Sequence, residues 1–373
     1  MLRHQLQPWL LSALRPTFPL HRCLLYSSSS GRFVVEDYLV DTCGLTPAQA
    51  RKASKYLHHL KSPEKPDAVR AFLAGFGVSK ADVATAITRD TRLLCSSVDK
   101  TLTPQFAQLR EIGLSPAEIS RLMTIFPRIT PLRISRIAFY LSFLGSYDKV
   151  HTAIRSSAYL LSTDVDNVVK PNIELLLQCG LTPGDVATLC SRVPVLFTKE
   201  PERVMEVVAR ADKLGVPRNS AMFKRALEIV HNQNPRTISA KMDFLKKALA
   251  CSESEVAIAV CQMPPLLAAS VGKLGRVVEF LKVDVGLEPG YIVRRPQLFS
   301  LSVEKRLIPR HYVIKVLKAK GLVKKDIDFH SVVCLNEERF AERMLERHKE
   351  SVPGLAGAYA AACAGQVPSE IEL

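Results

Sequence analysis

The feature that most constrains this chain is a short motif that recurs about every 35 residues. A Gly or Ala is followed two residues later by Ser or Thr, and three residues after that by Gln, Asp or Glu. The motif occurs as Gly44-Thr46-Gln49, Gly77-Ser79-Asp82, Gly113-Ser115-Glu118, Gly180-Thr182-Asp185 and Ala250-Ser252-Glu255. Gly tolerates the left-handed backbone that ends a helix, and the other two residues form the capping box of the next helix. Each copy therefore predicts a helix end followed directly by a helix start.

Less complete copies extend the series along the chain, at Gly145, Gly215, Gly286 and Gly321. The nine marks stand at positions 44, 77, 113, 145, 180, 215, 250, 286 and 321, so the intervals run from 32 to 36 residues. A constant period of this length is typical of solenoids, in which each unit packs only on its neighbours. The sequence therefore predicts an all-α fold, an α-solenoid of about eight helical repeats.

Within each unit, the first helix is predicted to end at a Pro-containing turn, because Pro disfavours helical backbone before it and cannot donate a hydrogen bond. Pro follows the small residue by 14 positions at Pro127, Pro194 and Pro264. Apolar residues come next, as in Pro194-Val195-Leu196-Phe197 and Pro296-Gln297-Leu298-Phe299. Thr91 and Ala158 occupy this place in two units, and the Gly215 unit breaks later, at Pro235. A second helix then runs to the next small residue.

These openings and Pro-x-Leu-Phe/Leu turns, together with the segment Ser302-Val303-Glu304-Lys305-Arg306-Leu307-Ile308-Pro309-Arg310, resemble the mitochondrial transcription termination factor family, in its large plant organelle branch. The resemblance covers roughly residues 33 to 350. It implies a superhelix whose repeats each contain two long helices and a short 3₁₀ turn, with a concave basic face that holds nucleic acid. Family members act in organelle gene expression, on duplex DNA as regulators or terminators of transcription, or on RNA in splicing and ribosome assembly.

The first 32 residues differ in composition from the rest of the chain. They hold Arg3, Arg15, Arg22 and Arg32, apolar residues at helical spacing and a run of Ser, but no Asp or Glu. This composition is typical of an organelle transit peptide, and a disordered basic tail is the alternative. We expect a mitochondrial location, with the chloroplast as the alternative. The predicted organisation is a disordered transit peptide over residues 1–32, the solenoid over 33–336, and a capping helix with a flexible tail over 337–373.

The positive charge of the chain is not confined to that leader. The net charge is +15, and without the four leader arginines it is still +11. Cations follow the Pro-containing turns and line the second helices, and equivalent positions of a solenoid align along one face. Such a ladder would follow a phosphate backbone. The candidate nucleic-acid-binding residues are Arg128, Arg133, Arg136, Lys199, Arg236, Lys241, Lys273, Arg294, Arg295, Lys305, Arg306 and Arg310.

The identity of the partner is less constrained than the charge. Aromatic residues make up 7% of the chain, and Tyr140, Phe143, Tyr147 and Tyr159 fall mostly at core spacing, so they are interpreted as packing residues. This favours binding led by the phosphate backbone, with double-stranded DNA as the leading partner and structured RNA as the alternative. A protein–protein scaffold is the rival class, with other organelle gene-expression proteins as possible partners. We expect a monomer.

Motifs for catalysis or metal binding are missing from the sequence. It contains no phosphate-binding loop, dinucleotide fingerprint, nucleophile elbow or metalloprotease motif. Its nine Cys form no C-x-x-C pair, so they are predicted to be reduced thiols. Residues 256–272 carry no charge, but Pro264 and Pro265 lie among them, so they are predicted to form core and not a membrane span. We expect no enzymatic activity, no cofactor and no metal.

Overall fold

The computed structural model describes residues 33–366, which form an all-α fold that is 72% helical and contains no strand. The α-helices are α1 (Val35–Asp41), α2 (Pro47–Ser54), α3 (Glu64–Gly75), α4 (Lys80–Arg89), α5 (Thr103–Glu111), α6 (Pro116–Met123), α7 (Pro131–Leu144), α8 (Tyr147–Ser156), α9 (Lys170–Gln178), α10 (Pro183–Arg192), α11 (Pro201–Asp212), α12 (Phe223–Asn232), α13 (Pro235–Leu249), α14 (Glu253–Gln262), α15 (Val271–Glu279), α16 (Pro289–Val293), α17 (Ile308–Ala319), α18 (Phe329–Val333), α19 (Glu337–Phe340) and α20 (Leu355–Cys363).

Short 3₁₀ turns separate the first and second helices of five units. They span Thr91–Cys95, Ala158–Leu161, Pro194–Thr198, Pro264–Ala268 and Pro296–Ser300. Several helices also contain a π-helical turn, at Val98–Leu102, Val165–Val169, Phe280–Asp284, Val303–Leu307 and Ala341–Leu345. The units that begin at Gly44, Gly113, Gly215 and Gly321 pass to the second helix without a 3₁₀ turn. The segment that interrupts the helical backbone between the first and second helices of a unit is called the breaker turn below. The predicted plan of helix, breaker turn and helix is thus confirmed.

The helix ends form where the recurring motif predicts them. Complete capping boxes are present at Thr46, Ser115, Thr182 and Ser252. The nine small residues of the series all have positive φ, and Ala250 is the one non-glycine residue among them. Because each unit therefore ends and restarts within a few residues, consecutive helices must fold back on one another.

The core is continuous because equivalent elements of neighbouring units pack together. First helix α8 contacts α10, and second helix α13 contacts α15. The 3₁₀ turn Ala158–Leu161 packs on the turn Pro194–Thr198 of the next unit. The apolar residues after each breaker fill this layer, and Leu196 and Phe197 are buried. The molecule thus has three layers, with breaker turns between first and second helices.

The C-terminal end departs from the predicted organisation. We expected a capping helix from residue 337 and a loose tail from about Gly354. Instead, α18 and the helix that starts with α19 form a further unit, and the cap is α20, which packs on α17. Helix α20 is ordered because Leu355 and Tyr359 are buried, and the Tyr359 hydroxyl donates to Glu337 Oε1 at 2.8 Å. The predicted transit peptide, residues 1–32, lies outside the described residues.

The uncharged segment of residues 256–272 belongs to the core, as predicted. It contributes to α14, the following 3₁₀ turn and the start of α15, and Val260 and Leu267 are buried. Across residues 33–366, no helix combines the length and the apolar character that a membrane span requires.

Candidate nucleic-acid interface

Five of the twelve candidate cations have exposed side chains: Arg128, Lys199, Arg236, Arg294 and Lys305. All but Arg294 lie in the breaker turn or where it leads into the second helix of a unit. Two half-buried candidates, Arg133 and Lys273, occupy the third positions of α7 and α15.

One cation per unit therefore stands at the junction between turn and second helix in five units. We call this set the junction row, and it consists of Arg133, Lys199, Arg236, Lys273 and Lys305. Within residues 33–366, neither Arg236 nor Lys305 forms an ion pair with a carboxylate. Unpaired, exposed cations of this kind can exchange their water and counterions for phosphate oxygens.

Two candidates lie too deep in the fold to contact a polyanion, which corrects the sequence prediction for them. Arg310 is fully buried, and its guanidinium donates to the carbonyls of Val333 and Leu335 and to Glu337 Oε2, the last at 2.7 Å. Lys241 is 8% exposed, and its Nζ donates to the Leu267 carbonyl at 2.6 Å. Burial lowers the pKa of Lys241.

The physical reason for this burial is a hydrogen bond that recurs between neighbouring units, from a side chain of a second helix to a carbonyl of the next breaker turn. A breaker turn leaves carbonyl groups without helical partners, and buried carbonyls must be satisfied. The second helix of the preceding unit supplies the donor. Arg136 donates to the Leu161 carbonyl at 2.7 Å, and Arg306 donates to that of Leu335 at 2.5 Å. These two half-buried arginines are therefore also engaged in holding units together.

This hydrogen bond between units does not require a cation as its donor. Asn172, on α9, donates to the carbonyls of Phe197 and Lys199, and the Tyr140 hydroxyl donates to that of Leu160. The residue at this place needs only a donor long enough to reach the next turn. A count of basic residues along the second helices therefore overestimates the number that face solvent.

Arg295 is held in a polar cluster near the C-terminal end. Its guanidinium lies 3.9 Å from the centroid of the Tyr291 ring and 3.5 Å from Asp328 Oδ1. Tyr291 also donates to that carboxylate, at 2.5 Å. Burial acts to raise the pKa of Asp328, but the hydrogen bonds from Tyr291 and the Ser331 amide and the charge of Arg295 lower it overall. Arg294, next to it, remains exposed.

A second basic cluster lies in the breaker turns of the N-terminal half. Asp90 accepts from Arg92 Nε at 2.8 Å and lies 3.7 Å from Arg128 Nη1. A cavity of about 290 Å³ is lined by Arg92, Arg128 and Arg133. Burial acts to raise the pKa of Asp90, but its hydrogen bonds with Arg92 and the charge of Arg128 lower it, so the carboxylate is charged and orients both arginines. Arg92 is not among the twelve cations predicted from the sequence.

Two tyrosines have largely exposed rings, and one of them was predicted to pack in the core. Tyr140 and Tyr147 are buried, as the packing interpretation requires, and Phe143 is half-buried. Tyr159, however, is 76% exposed, and Tyr56 is 60% exposed. Tyr159 was wrongly assigned to packing because its neighbours in the same turn, Leu160 and Leu161, are the residues that face the core.

A thiol and an imidazole come together in the N-terminal units, where His59 Nε2 lies 3.5 Å from the Cys95 sulfur. Burial raises the pKa of Cys43 to about 11 and also raises that of Cys95, so both are thiols at neutral pH. In the described part of the chain, no three His, Cys, Asp or Glu side chains form a group that could hold a metal ion.

Comparison with known proteins places this architecture in a family. The family model for mTERF matches residues 68–341. The chain is 21% identical over 261 residues to the Arabidopsis thaliana protein "Transcription termination factor MTERF15, mitochondrial", which covers 65% of this chain and 57% of that protein. It is 20% identical over 299 residues to "Transcription termination factor MTERF8, chloroplastic" from the same plant, covering 77% and 57%.

A relative outside plants shows the same relationship. The Drosophila melanogaster protein "Transcription termination factor 3, mitochondrial" is 24% identical over 196 residues, covering 43% of this chain and 55% of that protein. The matches span little more than half the length of each of these relatives. The family model, in contrast, spans most of this chain and coincides with the repeat units seen in the structure. The chain therefore belongs to the mTERF family.

Proposed function

We propose that this chain binds nucleic acid in an organelle and regulates transcription, or its termination, by occupying double-stranded DNA. The observation that carries the proposal is the junction row, which presents one cation from each of five units. Membership of the mTERF family and the names of the relatives support the assignment to transcription. The chain acts as a binding protein and not as an enzyme.

The repeat geometry explains how such a row would work. Helices of neighbouring units pack about 8–10 Å apart, so the four cations from the consecutive units that begin at Gly180, Gly215, Ala250 and Gly286 follow one another at a regular distance along the solenoid. Arg133 lies one unit further away, because the Gly145 unit contributes no cation to the row. Contacts of this kind hold a phosphate backbone without reading its sequence. A protein bound along several turns of a duplex would obstruct a polymerase sterically, and this obstruction could terminate transcription.

Binding measurements with matched variants test the proposal. Fluorescence anisotropy with a duplex should show weaker binding for the triple variant Arg236→Gln, Lys273→Gln, Lys305→Gln. The control is Lys213→Gln, an exposed cation that lies at the far end of α11 from the junction row. If the control weakens binding as much as the triple variant, the row is not the interface. Absence of any nucleic-acid binding would favour a protein–protein scaffold.

RNA is the second candidate ligand, and the exposed Tyr56 and Tyr159 favour it, because aromatic side chains stack on unpaired bases. The chain would then serve in organelle intron splicing or ribosome assembly. Competition between duplex DNA and a structured RNA of equal length separates the two. Preferential displacement by RNA would move the assignment from transcription to RNA processing.

We place the protein in the mitochondrion, with the chloroplast as the alternative. The acid-free, arginine-bearing composition of residues 1–32 supports import into an organelle. The relatives' names include both mitochondrial and chloroplastic proteins. Import assays of a fusion of residues 1–32 with isolated mitochondria and chloroplasts distinguish the two locations.

A further inference from the structure

Four consecutive N-terminal units present a planar side chain at the same place in the breaker turn. In each, the residue directly before the first buried Leu or Ile of the turn points to solvent. These residues are Tyr56, Arg92, Arg128 and Tyr159, and the buried residues that follow them are Leu57, Leu93, Ile129 and Leu160. We call the four exposed residues the platform row. In later units the same place holds Val195, Pro265 and Gln297, none of which is aromatic or charged.

The first three members of the platform row are neighbours in space. A cavity of about 570 Å³ is lined by Tyr56 and Arg92, and the 290 Å³ cavity separates Arg92 from Arg128. Asp90 lies in both cavities and holds the two guanidinium groups in place, with Arg92 Nη2 donating to its second oxygen at 3.1 Å. Tyr159 follows in the next unit, by the register of the repeat.

Cations flank the same cavities. Lys52 lines the larger cavity, and Arg133 lines the smaller one, where its guanidinium lies 4.9 Å from the centroid of the Phe126 ring. The surface therefore combines exposed planar groups with positive charge. Proteins that bind single strands combine the same two features, since bases stack on aromatic rings and guanidinium planes while cations hold the backbone.

We propose that the platform row binds unpaired nucleotides by stacking, one base for each repeat, as other helical-repeat proteins do. This inference deepens the proposed function and rests on it, because the flanking cations must hold the phosphates. The favoured ligand is then a duplex that continues into a single-stranded stretch of about four nucleotides. Later units, which lack planar residues at this place, would hold the paired part through the junction row.

The test compares two ligands that differ only in the unpaired stretch. One is a blunt duplex of about 20 base pairs, and the other carries a four-nucleotide overhang with 2-aminopurine, whose fluorescence falls when the base stacks. The wild-type chain should bind the overhang ligand more tightly and quench its fluorescence. Each of Tyr56→Ala and Tyr159→Ala should weaken that binding about 5- to 150-fold, the usual range for one lost base–aromatic stack.

Controls separate stacking from charge and from folding. Tyr56→Phe and Tyr159→Phe keep a ring and should retain tight binding and the quench. Val283→Ala removes a side chain that is also exposed but lies away from the breaker turns, and it should have no effect. Because both tyrosines are exposed, their variants should unfold at the wild-type temperature. Binding of the blunt duplex should change less than twofold in every variant.

The outcomes distinguish this inference from the proposed function. If Tyr→Ala variants bind the overhang ligand as tightly as the wild type and quench it equally, stacking on the platform row is refuted while nucleic-acid binding stands. If the wild-type chain prefers the blunt duplex, the preference for unpaired bases is also refuted. If it binds neither ligand, the proposed function itself fails.

Discussion

At the scale of single residues, burial decides what a cation does in this solenoid. Arg310 and Lys305 lie five residues apart in the same unit, yet one is fully buried and the other is exposed. The buried arginine satisfies carbonyls of the next unit and also lies 4.3 Å from the centroid of the Phe340 ring. Lys305 remains free for a partner.

This difference predicts opposite effects on stability. Arg310→Ala leaves buried carbonyls and Glu337 without their donor, and it should lower the free energy of unfolding by about 3–5 kcal/mol. Lys305→Ala removes only an exposed side chain and should change it by less than about 0.5 kcal/mol. Urea unfolding followed by circular dichroism measures both. Equal losses for the two variants would contradict the structural role of Arg310.

Two half-buried histidines predict how stability depends on pH. Burial lowers the pKa of His231, and the charges of Lys199 and Arg210 add to this effect. Burial also lowers the pKa of His311, where Lys315 and Lys318 act in the same direction and Asp284 opposes them. The unfolded chain, with a His pKa of about 6.5, therefore binds more protons than the folded chain once the pH falls below about 7.

The melting temperature should consequently be lower at pH 5.5 than at pH 7.5, the window that brackets the unfolded His pKa of about 6.5. Carboxylates with lowered pKa, such as Asp90 and Asp328, lose their contribution only at more acidic pH, below the unfolded Asp pKa of about 4. Replacing His231 and His311 by Gln should reduce the difference in melting temperature between pH 5.5 and pH 7.5. A melting temperature that is constant between the two pH values would show that these histidines do not stay neutral in the fold.

At the scale of helices and turns, the sequence predicts where elements end better than which way their side chains point. The capping motifs and small residues locate helix ends from local chemistry alone, and the structure confirms them at positions such as Ser115 and Gly145. Those signals need no knowledge of neighbouring units, because a cap bonds only to its own helix.

The direction of a side chain can be predicted only when the element packed against it is known. Lys241 and Arg236 lie on the same helix and look equivalent in sequence, but only Lys241 faces the breaker turn of the next unit. The exposure of Tyr159 depends in the same way on which face of its 3₁₀ turn meets the core. Helix α20 was not predicted, because its segment is rich in Ala and Gly. Leu355 and Tyr359 in this segment are buried only because α20 packs on α17.

Ala250 gives a direct test of the helix-stop interpretation. It adopts φ of 48°, in the left-handed region that costs an L-residue about 1–2 kcal/mol. Ala250→Gly should therefore raise the free energy of unfolding by about 1 kcal/mol. The matched control is Gly215→Ala, at the same place in the preceding unit, where φ is 75° and no atom lies within 4 Å of an added Cβ.

That control should lose about 1–2 kcal/mol through backbone strain alone. Chemical denaturation of the two variants beside the wild type gives both values. If both residues end their helices through left-handed backbone, the two variants should change the free energy of unfolding with opposite sign. A loss of stability in Ala250→Gly would mean that the Ala side chain contributes packing that outweighs its backbone strain.

At the scale of the whole molecule, two sets of polar residues have separate tasks. Donors on the second helices bond to the turns of the next unit and so fix the stacking of units. The junction row, with members such as Arg236 and Lys305, lies outside this network and keeps its charge available. Because the first set holds the units in register, the second set can present one cation from each of the five units that contribute to it.

The measurement that tests this account most directly is the salt dependence of duplex binding. Each phosphate contact contributes about 0.9 to the slope of log K against log salt, so contacts from the five cations of the junction row predict a slope of about −4 to −5. Neutralising Arg236, Lys273 and Lys305 together should reduce the magnitude of that slope by about one for each residue. A slope near zero, or one that these substitutions leave unchanged, would contradict the claim that the stacked units form a phosphate-binding surface.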